Sequence, residues 1–248
     1  MKTAMMVDTF KIEMQELEDL KCGPDDILIA TKYAGLCGSD IHAYKGDHPF
    51  RKPPVVLGHE ISGNISKIGE KVNGFHIGDP VTVMPCLFCG DCTSCRNKKY
   101  NICVNKRVPG MGKWVGTFAE CFLSKPSITF KLKNNANLKI GALAEPLATA
   151  VHSIRRAKLK PGNDIAILGA GPIGLFTGLV AKETGADNIA VTDLFDYNLS
   201  IAGDLYNART YNALKENIQE RMIKDYPDRF DVVCLCGNAE VMVKQALD

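Results

Sequence analysis

The stretch KPGNDIAILGAGPIG, residues 160–174, decides how the C-terminal part of this chain is read. DIAIL is an apolar strand run, and Gly169, Gly171 and Gly174 follow it as G-x-G-x-x-G. PIGLFTGLVAKETG then has helical spacing, NIAVTD reads as a second strand, and Asp193 ends that strand nineteen residues after Gly174. Strand, glycine turn, helix and acidic strand end together form the context in which this spacing binds a dinucleotide. Gly169 permits the tight turn, Gly171 lets the backbone approach a pyrophosphate, and Gly174 lets helix and strand pack closely. The helix N-terminus offers free N–H groups to phosphates, which brings Pro172 and Ile173 into the contact segment. Asp193 is expected to accept hydrogen bonds from both ribose hydroxyls and to repel a 2′-phosphate. No Arg follows it before Arg209, so NAD is favoured over NADP.

Working outward, FDYNLSIAGDLY reads as a helix and DVVCLC as another strand. Alternation of β and α on this scale implies βαβ units and a parallel sheet. Upstream the grammar differs. DDILIATKYAGL, HEISGNISKIG, DPVTVMP and TFAECFLS are short strand runs, separated by the turn signals CGPDD, GDHPFRKPP and VNGFHIGDP. GALAEPLATAVHSIRRA is apolar at helical spacing and marks the change. The expected fold class is α/β: a mostly-β domain over residues 1–150 and a parallel-sheet dinucleotide-binding domain over 151–248.

Composition narrows the partners. With 248 residues and 46% hydrophobic content the chain can bury a core, and a net charge of +2 gives nucleic acid no special attraction. MKTAMMVDTFKIEMQELEDL is too acidic and too broken for a signal peptide. No apolar run of ~18 residues is present, so no membrane span is expected. These readings place the protein in the cytoplasm, with neither nucleic acid nor membrane as partner. In a reducing compartment, clustered cysteines more often bind metal than pair as disulfides.

CLFCGDCTSCRNKKYNIC, residues 86–103, holds five of the ten cysteines. Cys89, Cys92, Cys95 and Cys103 are spaced C-x2-C-x2-C-x7-C, and four thiolates on a tight loop can enclose one tetrahedral zinc ion. Such a closed site orders a lobe and does no chemistry. An iron–sulfur cluster is the competing reading, and Cys86 could shift the register by one. Cys22, Cys121, Cys234 and Cys236 read as small core residues.

GLCGSDIH carries Cys37, Ser39, Asp40 and His42, and LGHE carries His59 and Glu60. Together with VVLGHEISG, CGDCTSC, GTFAE, EPLATAVH and LGAGPIG, in that order, they make the chain resemble the zinc-containing medium-chain dehydrogenase/reductase family, most similar to sorbitol and related polyol dehydrogenases. The resemblance implies a GroES-like catalytic domain followed by a Rossmann domain. It implies two zinc ions, one catalytic and one structural, and NAD as cofactor. It implies Cys37, His59 and an acidic residue, Glu60 or Glu145, as ligands of the catalytic zinc, with a vacant position for substrate oxygen. Ser39 corresponds to the family's hydroxyl proton relay, His42 to its continuation toward solvent, and Asp40 to the carboxylate that orients the ligand histidine.

The implied reaction is reversible NAD-linked oxidation of a secondary alcohol of a small polyol to a ketone. Threonine, butanediol or cyclitol oxidation, or a non-catalytic relative, are the alternatives, and EPLATAVH is more like the polyol and diol members. Substrate contacts are expected from loop residues such as Tyr44, Phe50, Met111 and Trp114. Relatives of this kind form homodimers or homotetramers. The chain stops at VMVKQALD, so a Rossmann sheet truncated at its C-terminal side is expected, without the last two strands of the order 3-2-1-4-5-6. Asn198 stands where many relatives carry an Arg near the adenosine ribose.

Overall fold

The computed structural model describes residues 1–112 and 114–247. The chain divides into two compact units, Met1–Glu145 and Pro146–Asp248. No helix among the described residues is long and apolar enough to cross a membrane.

In the first unit, β1 (Lys2–Asp8) and β2 (Lys11–Glu16) form an antiparallel hairpin, and β3 follows over Ile27–Gly35. The short helix α1 (Gly38–Tyr44) leads through a loop to β4 (Val55–Val56), which pairs with β1, and then to β5 (Glu60–Ile68). After β6 (Pro80–Val83) come the turn-length helix α2 (Thr93–Arg96), β7 (Cys121–Ser124), β8 (Thr129–Lys131) and α3 (Leu138–Gly141). Five strands make one antiparallel sheet in the order β7-β3-β5-β6-β8. Ile27, Ile29, Ile61, Ile65, Val81, Val83, Phe122 and Ile128 build its core.

The β3–β5 pairing matters most for the site, because its register ends on Gly35 opposite Glu60. Burying each Ile contributes roughly 1.5–3 kcal/mol, against ~1 kcal/mol net for each ladder hydrogen bond. Side-chain burial therefore outweighs the ladder in holding the ends of these two strands together.

The boundary between the units falls in the first turn of α4 (Ala144–Ala157), after Glu145, and in the second unit this helix leads into β9 (Asp164–Leu168). The helix α5 (Pro172–Thr184), β10 (Asn188–Asp193), α6 (Asp196–Tyr206), β11 (Arg209–Asn212), α7 (Ile218–Asp225), β12 (Val232–Leu235) and α8 (Glu240–Leu247) complete the chain. All strand pairs of this sheet are parallel, in the order β11-β10-β9-β12. Numbered from the first strand of the sheet, that is 3-2-1-4, the order of a Rossmann half extended by one strand. Ile165, Ile167 and Val191 are fully buried beneath α5 and α6, with Ala181 and Ala202 as the small residues of the helix faces.

The glycine turn separates two kinds of constraint. Gly169 has φ +101, a left-handed conformation that favours glycine. A Cβ on Gly174 would overlap the carbonyl oxygen of Gly169, so this glycine sets the approach of α5 to the end of β9. Gly171, at φ −67, has no such reason: a Cβ there would meet nothing within 4 Å. Gly174→Ala is expected to destabilise the second unit by about 1–3 kcal/mol through overpacking. Gly171→Ala should leave stability within ~0.5 kcal/mol, because it touches nothing in the fold. Urea denaturation of both variants measures the difference, and equal losses would contradict it.

Candidate metal centres and dinucleotide turn

Cys37 precedes α1 and serves as its N-cap, with Asp40 in the first turn. Asp40 is 1% exposed, and its Oδ2 accepts the Cys37 N–H at 3.1 Å. Its Oδ1 accepts the Gly58 N–H at 3.2 Å and stands 3.6 Å from His59 Nδ1. One carboxylate thus joins the segment around residue 37 to the segment around residue 59. The β3–β5 register sets Glu60 beside the same place.

Ligand atoms of Cys37, His59 and Glu60 lie within 4.8 Å of one another, and His59 and Glu60 are buried. Burial opposes a charge on His59, but Asp40 and Cys37 beside it prevail and raise its pKa to about 10. Hydrogen bonding to His59 draws the Cys37 thiol down, against its partial burial. Burial pushes Glu60 up, with the His59 charge acting against it, and burial does the same to Glu145. His59 Nδ1 is sealed from solvent and faces Asp40 Oδ1 at 3.6 Å, with no hydrogen-bond partner among the described residues. A sulfur, an imidazole nitrogen and a carboxylate oxygen converging in this way suit a divalent ion with an open coordination position.

Glu145 lies outside that convergent set, although its charge is felt at Glu60. Ser39 is half-buried at the edge of the cluster, and His42 is exposed on α1. Two residues that the sequence reading did not single out belong here. Arg51 is 6% exposed and its Nη1 lies 3.1 Å from Ser39 Oγ and 3.5 Å from Asp40 Oδ1. No local pattern separates it from its exposed neighbour Lys52; only burial does. Gly35 is the other: a Cβ on it would overlap Glu60 Oε2, so the bare glycine leaves room for that carboxylate. Among the expected substrate-contact residues, Phe50 is exposed, while Tyr44 donates its O–H to the Phe10 carbonyl. Trp114 donates to the Leu123 carbonyl and packs against Phe122, so it builds the core of this unit.

In the cysteine loop, Cys89, Cys92, Cys95 and Cys103 bring their four sulfurs together. Cys103 Sγ is 3.5 Å from Cys89 Sγ and 3.9 Å from Cys92 Sγ, and Cys89 Sγ is 3.9 Å from Cys95 Sγ. A tetrahedron with metal–sulfur bonds of ~2.3 Å has S···S edges of about 3.8 Å. The spacing therefore fits one ion; the several irons of a cluster would hold the sulfurs farther apart. Cys86 turns to the Tyr100 carbonyl and is outside the set, so the register does not shift. Backbone N–H groups of Cys95 and Val104 draw Cys92 down to about 6, which favours a metal-binding thiolate. Burial drives Cys95 up to about 12, a cost that a bound cation would reverse.

In the second unit Asp193 closes the glycine turn. Its Oδ2 accepts the Ala170 N–H at 2.7 Å, and its Oδ1 accepts the Phe195 N–H at 2.9 Å and Asn198 Nδ2 at 3.2 Å. A carboxylate has about four acceptor positions, so one remains for a ribose hydroxyl unless Asn198 gives way. The N-terminus of α5 and the open space above Gly171 supply what a pyrophosphate needs.

Comparison with known proteins agrees with this architecture. Residues 23–134 match the alcohol dehydrogenase GroES-like domain. The chain is 37% identical over 217 residues to L-idonate 5-dehydrogenase of Vitis vinifera, covering 86% of this chain and 58% of that protein. It is 35% identical over 225 residues to sorbitol dehydrogenase of Bacillus subtilis, covering 87% and 64%. A crystal structure of an Escherichia coli oxidoreductase/dehydrogenase of unknown specificity superposes with a TM-score of 0.93 at 33% identity, over 99% of this chain and 72% of that one. The chain thus spans about three fifths of the length of these curated relatives. Shared sequence, shared fold and the two convergent donor sets agree: the chain belongs to the zinc-containing medium-chain dehydrogenase/reductase family.

Proposed function

We propose that the protein of which this chain is part is a zinc-dependent oxidoreductase that reversibly oxidises a secondary alcohol of a small polyol to a ketone, with NAD as hydride acceptor. The convergence of Cys37, His59 and Glu60 carries this reading. When bound, zinc supplies the Lewis acid that acidifies the substrate hydroxyl, and NAD supplies the acceptor for the hydride. Cys37, His59 and Glu60 would hold the catalytic ion, with Glu145 as the alternative acidic group. Asp40 orients His59 from behind, so the ring keeps its other nitrogen for the metal. Ser39 receives the substrate proton at Oγ and passes it outward toward exposed His42. Gly171 and the first turn of α5 bind the pyrophosphate, with Gly169, Pro172, Ile173 and Gly174 shaping that contact, and Asp193 binds the ribose. Cys89, Cys92, Cys95 and Cys103 hold a second, structural zinc. The ten cysteines are free, which suits a reducing, cytoplasmic setting, and a homodimer or homotetramer is the assembly that goes with this reading.

Idonate and sorbitol, the substrates named for the relatives above, are both polyhydroxylated, which supports a polyol here. An NAD-reduction screen against polyols, diols and threonine tests the proposal; turnover confined to threonine would overturn the substrate class.

Metal analysis should find two zinc ions per chain. Cys37→Ser should lose one of them together with activity, and Cys92→Ser the other together with the order of its loop. A Cys37→Ser protein that kept both ions would disprove the ligand assignment. Gly35→Ala should displace the Glu60 carboxylate and lower catalytic zinc affinity about 10–100-fold. Equilibrium dialysis against a chelator measures this. Asp193→Gly should lower the NAD-to-NADP preference at least about tenfold, the worth of a hydrogen bond to a charged group. Because Asp193 also braces Ala170, the ratio of the two cofactors is the informative quantity, and an unchanged ratio would remove its ribose role.

A further inference from the structure

We propose that Arg51 is a positioning residue for the candidate catalytic centre, its guanidinium tying the Ser39 hydroxyl to the Asp40 carboxylate. The role of Ser39 in this inference rests on the oxidoreductase reading above; the hold on Asp40 does not.

Arg51 sits in the loop between α1 and β4. The loop is pinned there, because the N–H groups of Phe50 and Arg51 both donate to His48 Nδ1, at 3.2 and 3.1 Å. Lys52 Nζ donates to the Gly46 carbonyl at 2.9 Å. The guanidinium is buried, yet its Nε has no hydrogen-bond partner among the described residues. A buried cation with an unpaired donor is a poor source of stability, and a well-packed apolar residue commonly does as well or better. Packing alone therefore does not explain this arginine, whereas its contacts with Ser39 and Asp40 do.

Guanidinium nitrogens only donate. In the contact at 3.1 Å Ser39 Oγ is therefore the acceptor, and its single proton must point elsewhere. The second contact, at 3.5 Å, reaches Asp40 Oδ1, the same oxygen that takes the Gly58 N–H and faces His59. Arg51 thus acts on two groups at once. It sets the direction of the Ser39 hydroxyl, and it fixes the carboxylate that orients the ligand histidine.

The test uses the zinc-loaded protein and its cobalt-substituted form. Arg51→Met should release one of its two zinc ions to a chelator about 10–100-fold more readily than the parent, while the Cys89–Cys103 zinc stays as an internal control. With cobalt in the Cys37 site, the thiolate-to-metal absorption band should shift in the variant. Arg51→Lys keeps the charge but not the fork, and should fall between the two. Parent-like retention and an unshifted band in Arg51→Met would overturn the proposal. Should Arg51→Met fail to fold, Arg51→Lys decides: weakened retention supports the tie, and parent-like retention means charge balance alone and overturns it. None of these readouts needs a substrate. Their failure is thus distinct from failure of the polyol screen, which would remove only the functional reading.

Discussion

The Cys37–His59–Glu60 centre depends on one buried carboxylate. Asp40 takes backbone donors from Cys37 and Gly58, faces His59 and meets Arg51, all while nearly excluded from solvent. An isolated charge in that position would be strongly unfavourable, and it persists because every oxygen has a partner. The same partners make it a junction. A local helix cap, a glycine turn before β5 and a loop arginine are locked to one another through it. The donor atoms converge because these three segments are not free to move independently.

The cysteine loop and the Cys37 centre show two ways of meeting the same chemistry. In the loop all four donors come from fifteen consecutive residues, and the sulfurs already stand at the edges of a tetrahedron. At the other centre three donors of different type come from the same end of an antiparallel strand pair, where β3 leaves and β5 begins, and among the described residues no fourth protein donor joins the convergent set. A full set of thiolates leaves nothing for a substrate to bind, whereas an incomplete mixed set does. The first arrangement suits support, the second suits reactivity.

What could be read from the sequence follows the range of the interactions. The glycine turn and the cysteine loop are local, so spacing exposed both, although the choice of one ion on Cys89, Cys92, Cys95 and Cys103 over an iron–sulfur cluster or a register shifted to Cys86 needed the sulfur positions. The strands β3, β5, β6 and β9 were legible from apolar runs and turn residues. Cys37 and His59 are joined by strand pairing, which no local pattern encodes, and only the ordered motifs of a family brought them together. Gly35 and Arg51 were invisible for a sharper reason. The first matters because of a residue across the strand, the second because a loop folds it inward while Lys52 stays outside. Trp114 has a structural role that an aromatic in a loop did not announce: it packs against Phe122 and donates to the Leu123 carbonyl.

The three glycines of the turn are not equivalent, and this has a bearing on how such chains diverge. Two are demanded by the backbone itself and would be retained by any descendant that kept the fold. Position 171 is answerable only to whatever occupies the space above it. A lineage that abandoned dinucleotides would be free to acquire a side chain there at almost no structural cost. The residue at that one position is thus a marker, readable from sequence, of whether a relative still carries its cofactor.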